Sequence, residues 1–157
     1  MNLECKTAME NVKKINDELT VAGQVTEQQL QQAVNEGYKS VLNLRSPEEQ
    51  GFESDEQQKA QVLGLHYVNI PVKLTEIDDE LTKEVIKQID ELPKPALIHC
   101  ASGMRAGLMA FIYVATRQGM TPEQIFEQAA AAGFDCSANP QMKQFLEHYV
   151  STYSRAN

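Results

Sequence analysis

One stretch constrains the fold of this chain more than any other. Ala96-Leu97-Ile98 is a short, wholly apolar run, the pattern of a strand buried on both faces. It breaks into His99-Cys100-Ala101-Ser102-Gly103-Met104, small residues for the most part, and resumes at Arg105 as a helix. That helix, Arg105 to Gln118, is apolar on most sides (Leu108, Met109, Phe111, Ile112, Val114, Ala115), and Gly119 ends it. A buried strand feeding a buried helix through a tight loop is the unit from which α/β domains with parallel sheets are built.

The remainder of the chain repeats the alternation. Glu18 to Ala22 is short and β-prone. Thr26 and Gln29 form a capping box ahead of a helix that Gly37 terminates. Tyr38 to Leu44 and Leu65 to Val72 are predicted strands, the second stopped by Pro71. Between them lies a polar, irregular stretch that becomes helical over Gln57 to Leu63 and closes at Gly64. Asp79 to Leu92 carries Leu81, Val85, Ile86 and Ile89 at helical spacing, with Thr75 or Asp78 as cap, and Pro93-Lys94-Pro95 stops it. Thr121-Pro122-Glu123-Gln124 opens a helix to about Ala132, and Asn139-Pro140 opens a last one to about Tyr153. Met1 to Asp17 reads as weakly helical. The expected architecture is a single α/β domain over residues 1–157 with its core in about 19–150. A central, mostly parallel sheet is flanked by helices, and the C-terminal portion is helical.

Charge narrows the partners. The net charge of −8 argues against a nucleic-acid surface or an anionic membrane, though not against a local anion pocket. No apolar run is long enough to span a bilayer, and Met1-Asn2-Leu3-Glu4-Cys5 lacks the features of a secretory signal. Cys5, Cys100 and Cys136 are too few and too scattered for a disulfide framework or a zinc cluster. The expected compartment is therefore the cytoplasm. His66 and His148 have no ligand-like companions, so neither metal nor cofactor is expected.

Cys100 sits where a parallel sheet presents ligands, beyond a strand's carboxyl end. The small loop residues let successive backbone N–H groups converge on one anion at a helix N-terminus, and such a setting favours a thiolate. Arg105 supplies a planar fork of donors for an oxyanion, and His99 can hold the loop through its ring. The bland alternative, a buried structural cysteine, does not account for strand, His-Cys, small loop, Arg and helix occurring in that order. The pattern points to nucleophilic chemistry at Cys100, with His99, Ala101, Ser102, Gly103 and Met104 as the anion-binding loop.

His99-Cys100 with Ser102-Gly103 and Arg105 resembles the signature loop of the cysteine-dependent protein phosphatases. Val21 to Thr26 and Gly37 to Arg45 are similar to a compact bacterial phosphatase-like family that also occurs as the N-terminal domain of β-lactamase-hydrolase-like proteins. The resemblance covers about Leu19 to Tyr149 and implies a dual-specificity-phosphatase-like fold. It also implies a phosphocysteine intermediate at Cys100, with a small anionic substrate or a phosphorylated protein as partner. A general acid is implied in the loop Lys73 to Asp79, where Glu76, Asp78 and Asp79 are candidates and Asp78 ranks first; helix capping is the competing role for Asp78 or Asp79.

Two departures from the common phosphatase pattern keep other functions open. Four residues, not five, separate Cys100 from Arg105, a spacing shared with the rhodanese-type sulfurtransferase loop as well as with the compact bacterial family. Ala106 stands where phosphatases usually carry Ser or Thr, a hydroxyl for which Ser102 is a partial substitute. Sulfur transfer through a Cys100 persulfide, and a catalytically silent anion- or phosphopeptide-binding module, are therefore alternatives. Arg45 is a further candidate for positive charge near the pocket, more simply read as a surface ion pair, and Cys136 is a candidate resolving thiol.

Overall fold

The structure, a computed structural model, describes residues 12–134 and 139–154. A five-stranded sheet runs in the order β1-β2-β5-β3-β4, with β1 Val12–Lys14, β2 Leu19–Ala22, β3 Ser40–Asn43, β4 His66–Asn69 and β5 Ala96–His99. Only β1 is antiparallel to its neighbour; β2, β5, β3 and β4 are parallel. The expected α/β architecture with a mostly parallel central sheet is borne out. The three inner strands are buried at every residue, which is why Ala96 to Ile98 carries no polar alternation.

Six helices are described: α1 Glu27–Asn35, α2 Glu56–Val62, α3 Asp79–Glu91, α4 Met104–Gln118, α5 Pro122–Ala131 and α6 Pro140–Tyr153. The capping boxes at Thr26/Gln29 and Thr121/Gln124 are both closed. One sheet face packs on α1 and α2 through Leu30, Ala60, Val41 and Leu97. The other packs on α3 to α6, and there α4 is the central element, with Ala106 to Ile112 buried without a break. Burying a Leu or Ile such as Leu108 or Ile89 contributes about 2 kcal/mol, so this layer dominates the core.

One expectation fails at the N-terminal end. Residues 12–14, read as weakly helical, form an edge strand paired to β2 from Val12↔Ala22 to Lys14↔Thr20. The intervening turn is held by the Asn16 side chain, which accepts the amides of Glu18 and Leu19 at 2.8 and 2.9 Å. A three-residue edge bearing two lysines has too little pattern to declare itself locally.

The register places Ala22, His99, Asn43 and Asn69 in one row at the carboxyl ends of the parallel strands. Four loops therefore leave the sheet side by side: Gly23–Val25, Leu44–Asp55, Ile70–Asp78 and Cys100–Gly103.

Candidate active site

Cys100 is fully buried at the floor of its loop, while Ala101 and Ser102 on the rim are exposed. Its Sγ accepts the Gly103 amide at 3.1 Å and the Ala106 amide at 3.4 Å. Ala106 is at the third position of α4, where helical amides have no intrahelical acceptor, so the sulfur sits on the positive end of the helix. Two backbone amides thus donate to the sulfur, and the Ser102 hydroxyl is not among its donors. Gly103 adopts φ +96°, a left-handed conformation that glycine takes without strain and that turns the loop into α4. Gly23 lets the neighbouring loop press close, because a Cβ there would lie 3.0 Å from the Ala101 carbonyl. The Gln24 amide donates to that same carbonyl at 3.0 Å.

Arg105 is held from two sides. Nη1 donates to Glu49 Oε2 at 2.6 Å and to the Val72 carbonyl at 2.9 Å, and Nη2 donates to Glu49 Oε1 at 3.0 Å. Three of the five guanidinium hydrogens are used in this way. The other two, on Nε and Nη2, share one edge of the guanidinium, and that edge has the spacing to grip a tetrahedral oxyanion with two bonds. Hydrogen bonding to Glu49, opposed by burial and reinforced by the charge of Cys100, raises the Arg105 pKa. In return the Arg105 hydrogen bonds, against a burial effect and helped by the Ser46 amide and Arg45, hold Glu49 at a pKa of about 2.

Arg45 forms an ion pair, but a largely buried one with Glu49 and not one on the surface. It is 5% exposed and donates to Glu49 Oε1, Gln24 Oε1, and the Gln50 and Gly51 carbonyls. Beneath the loop, His99 Nε2 lies 2.5 Å from Glu56 Oε2, and Glu56 also accepts from Gln24 at 2.7 Å and from Tyr67 at 3.0 Å. Burial alone would raise the Glu56 pKa; the hydrogen bond and charge of His99, with Gln24 and Tyr67, outweigh it and hold the group below its ordinary value.

Glu49, Glu56, Gln24 and Tyr67 escaped sequence reasoning. The two glutamates lie in the polar stretch before and at the start of α2, which has no periodic signal. Asp78 is exposed and caps α3, its Oδ1 accepting the Leu81 amide at 2.9 Å. The groove it lines runs along α3 past Lys83, Glu84 and Lys87 and includes none of residues 99–105. Asp79 instead ties α3 to α6 through His148 and Tyr153. Glu76 lies in a 3-10 turn, Leu74–Glu76, and His66 is exposed. Cys5 and Cys136 fall outside the described residues. Among the described residues no group of side chains could hold a metal ion, and no helix is long and apolar enough to cross a membrane.

Residues 11–118 match the family described as beta-lactamase hydrolase-like protein, phosphatase-like domain. The chain belongs to this family. Beta-lactamase hydrolase-like proteins of Xylella fastidiosa (strain Temecula1) and Agrobacterium fabrum are each 29% identical to it, over 125 and 128 residues. These matches cover 77% and 80% of the chain but 29% and 30% of the relatives, so the chain spans less than a third of their length. Among solved structures, a DUF442 protein of Shewanella putrefaciens CN-32 aligns with a TM-score of 0.79 at 22% identity, covering 98% of this chain and 99% of that one. TpbA of P. aeruginosa aligns at 0.73 and 18% identity, covering 94% and 91%. The core catalytic domain of the S. cerevisiae PP-IP phosphatase SIW14 aligns at 0.72 and 22%, covering 89% and 85%. The family fold is thus that of the tyrosine and dual-specificity phosphatases. A variant of TpbA has been crystallised with phosphotyrosine, and the SIW14 domain with citrate.

Proposed function

We propose that this phosphatase-like domain hydrolyses phosphomonoesters through a phosphocysteine at Cys100. The observation that carries the reading is the pairing of Sγ with two amides at the start of α4, beside a guanidinium whose remaining donors share one edge. The Cys100 thiolate attacks phosphorus, forming the S–P bond as the ester P–O bond breaks. The amides of Ala101 to Arg105, shaped by His99, Ser102, Gly103 and Met104, and the open edge of Arg105 take the developing charge on the phosphoryl oxygens. The leaving oxygen takes a proton from Asp78, which caps α3 through Oδ1 and keeps Oδ2 for the proton. This role needs the loop before α3 to bring that carboxyl toward Cys100. Water then cleaves the S–P bond, releasing inorganic phosphate and the thiol. A phosphorylated protein side chain or a small phosphomonoester is the substrate class, in line with the phosphotyrosine bound by a TpbA variant.

A second reading rests on one observation, the four residues between Cys100 and Arg105. A loop one amide shorter suits a persulfide sulfur on Cys100, taken from a sulfane donor and passed to a thiol acceptor, and no general acid is then required.

The assay that separates these readings uses an aryl phosphate and, in parallel, thiosulfate with cyanide, on the wild type and on Cys100→Ser. Phosphate release that disappears in Cys100→Ser is the expected result. Thiocyanate formation without phosphate release overturns the phosphatase reading in favour of sulfur transfer. Phosphate binding with no turnover of either substrate leaves an anion-binding module, and wild-type rates in Cys100→Ser exclude both enzyme readings.

A further inference from the structure

Glu56 is a carboxylate at 2% exposure on the first turn of α2, where it is buried on the same face as Ala60. A glutamate is rarely buried to this degree unless it is fully paired. Here both oxygens are taken: Oε1 by Gln24 at 2.7 Å, Oε2 by His99 Nε2 at 2.5 Å and by the Tyr67 hydroxyl at 3.0 Å. Tyr67 is itself fixed by Asn43, whose side-chain amide donates to its hydroxyl at 2.9 Å. The other ring nitrogen of His99, Nδ1, lies 3.4 Å from the backbone carbonyl of Cys100. Both ring nitrogens therefore face oxygen atoms, and the ring is held between the Glu56 carboxylate and the Cys100 backbone.

The chain of contacts does not stop at Gln24. Gln24 Oε1 accepts from Arg45 Nη1 at 2.7 Å, Arg45 Nε donates to Glu49 Oε1 at 3.0 Å, and Glu49 holds Arg105. One chain of hydrogen bonds, most of them charge-assisted, thus runs from His99, next to Cys100, round to Arg105. Between His99 and Arg105 it passes through side chains outside the loop: Glu56, Gln24, Arg45 and Glu49. Charge-assisted bonds in a buried setting are strong and directional, so such a chain fixes the distance between the two reacting groups.

We propose that Glu56 is a positioning residue for Cys100, acting through His99 and coupled through Gln24 and Arg45 to the Glu49–Arg105 pair. The proposal rests on the reading of Cys100 as nucleophile. Glu56 touches no reacting atom; it orients the imidazole that supports the Cys100 backbone. Its effect belongs in the rate of the sulfur's reactions and not in substrate affinity.

The test combines Glu56→Gln, His99→Asn and the double variant, each checked for folding by thermal denaturation. Two rates are measured at fixed pH: hydrolysis of an aryl phosphate, and alkylation of Cys100 by iodoacetamide followed by mass spectrometry. Glu56→Gln is expected to lower kcat by about tenfold or more, the scale of residues that orient a reactive group from behind, with KM within about twofold. Alkylation should slow in parallel. Because Glu56 acts through His99, the double variant should fall within about twofold of the worse single variant. Wild-type alkylation and kcat in a folded Glu56→Gln, or a double variant whose loss is the product of the two single losses, overturns the proposal. If Glu56→Gln does not fold, Tyr67→Phe decides: removing one hydrogen bond to Glu56 should slow both rates by about fivefold, and unchanged rates overturn the proposal. Iodoacetamide alkylation needs no phosphatase activity, so a wild type inactive on phosphomonoesters sinks the phosphatase reading while the alkylation arm still judges Glu56.

Discussion

Both carboxylate oxygens of Glu49 lie on the guanidinium of Arg105, Oε2 2.6 Å from Nη1 and Oε1 3.0 Å from Nη2. The glutamate is anchored from behind, since the Ser46 amide donates to it at 2.8 Å and the buried Arg45 at 3.0 Å. It is therefore a fixed support that turns one edge of Arg105 away from itself, and not a mobile competitor for that edge. Glu49→Gln should leave the fold intact and weaken anion binding. An increase in KM for an aryl phosphate of about tenfold is expected, the value of one charge-assisted bond; an unchanged or lower KM would show that Glu49 competes with substrate.

The same pair makes stability depend on acid. The Glu49 pKa is about 2 in the fold against an ordinary value of 4.5, so the group binds fewer protons folded than unfolded above the lower value. Its contribution is fully present above pH 4.5 and is lost as pH falls toward 2. Urea denaturation at pH 7, 4 and 3 should show a shallower loss of stability in Glu49→Gln than in the wild type. Parallel curves for the two proteins would mean that the ion pair adds nothing to the folded state.

The two roles of Asp78 separate by substitution. Asn caps helices as well as Asp does, so Asp78→Asn should keep the melting temperature, whereas Asp78→Ala should cost about 1 kcal/mol. If Asp78 donates the proton, Asp78→Asn lowers turnover of an alkyl phosphate by about a hundredfold and spares an aryl phosphate with a good leaving group. Equal rates on both substrates would confine Asp78 to the cap.

Gly107, inside α4, faces the ring of Phe134: a Cβ built there would lie 2.1 Å from Phe134 Cε1. Phe134 also packs against Phe111, with ring centroids 5.5 Å apart. Overpacking of this kind costs about 1–3 kcal/mol. The better helix propensity of alanine returns about 1 kcal/mol. Gly107→Ala should therefore be destabilising on balance in urea denaturation, and a gain in stability would show that Phe134 moves aside freely.

The helices were legible in the sequence where capping chemistry was local. Thr26 with Gln29 and Thr121 with Gln124 close their boxes within three residues, so no tertiary information was needed to place them. The edge strand Val12–Lys14 was not legible, because its hydrogen bonds depend wholly on β2 lying alongside. Asp78 was legible as a cap for the same local reason that made its catalytic role undecidable: an N-cap and an acid use the same side chain.

The sequence by itself determined where the reactive loop lies. An apolar strand, small residues that permit a tight turn, and an apolar helix are all short-range patterns, and they place Cys100 and Arg105 at a strand end and a helix start. Only the tertiary structure decided what holds them. Parallel pairing sets the ends of β2, β3, β4 and β5 in one row, and that row brings Gln24, Arg45, Glu49 and Glu56 under a loop numbered 99 to 105. A carboxylate that will meet a guanidinium far along the chain has no periodicity or neighbour to mark it. In the sequence, Glu49 and Glu56 resemble any other surface glutamate; burial among partners supplied by other strands sets them apart.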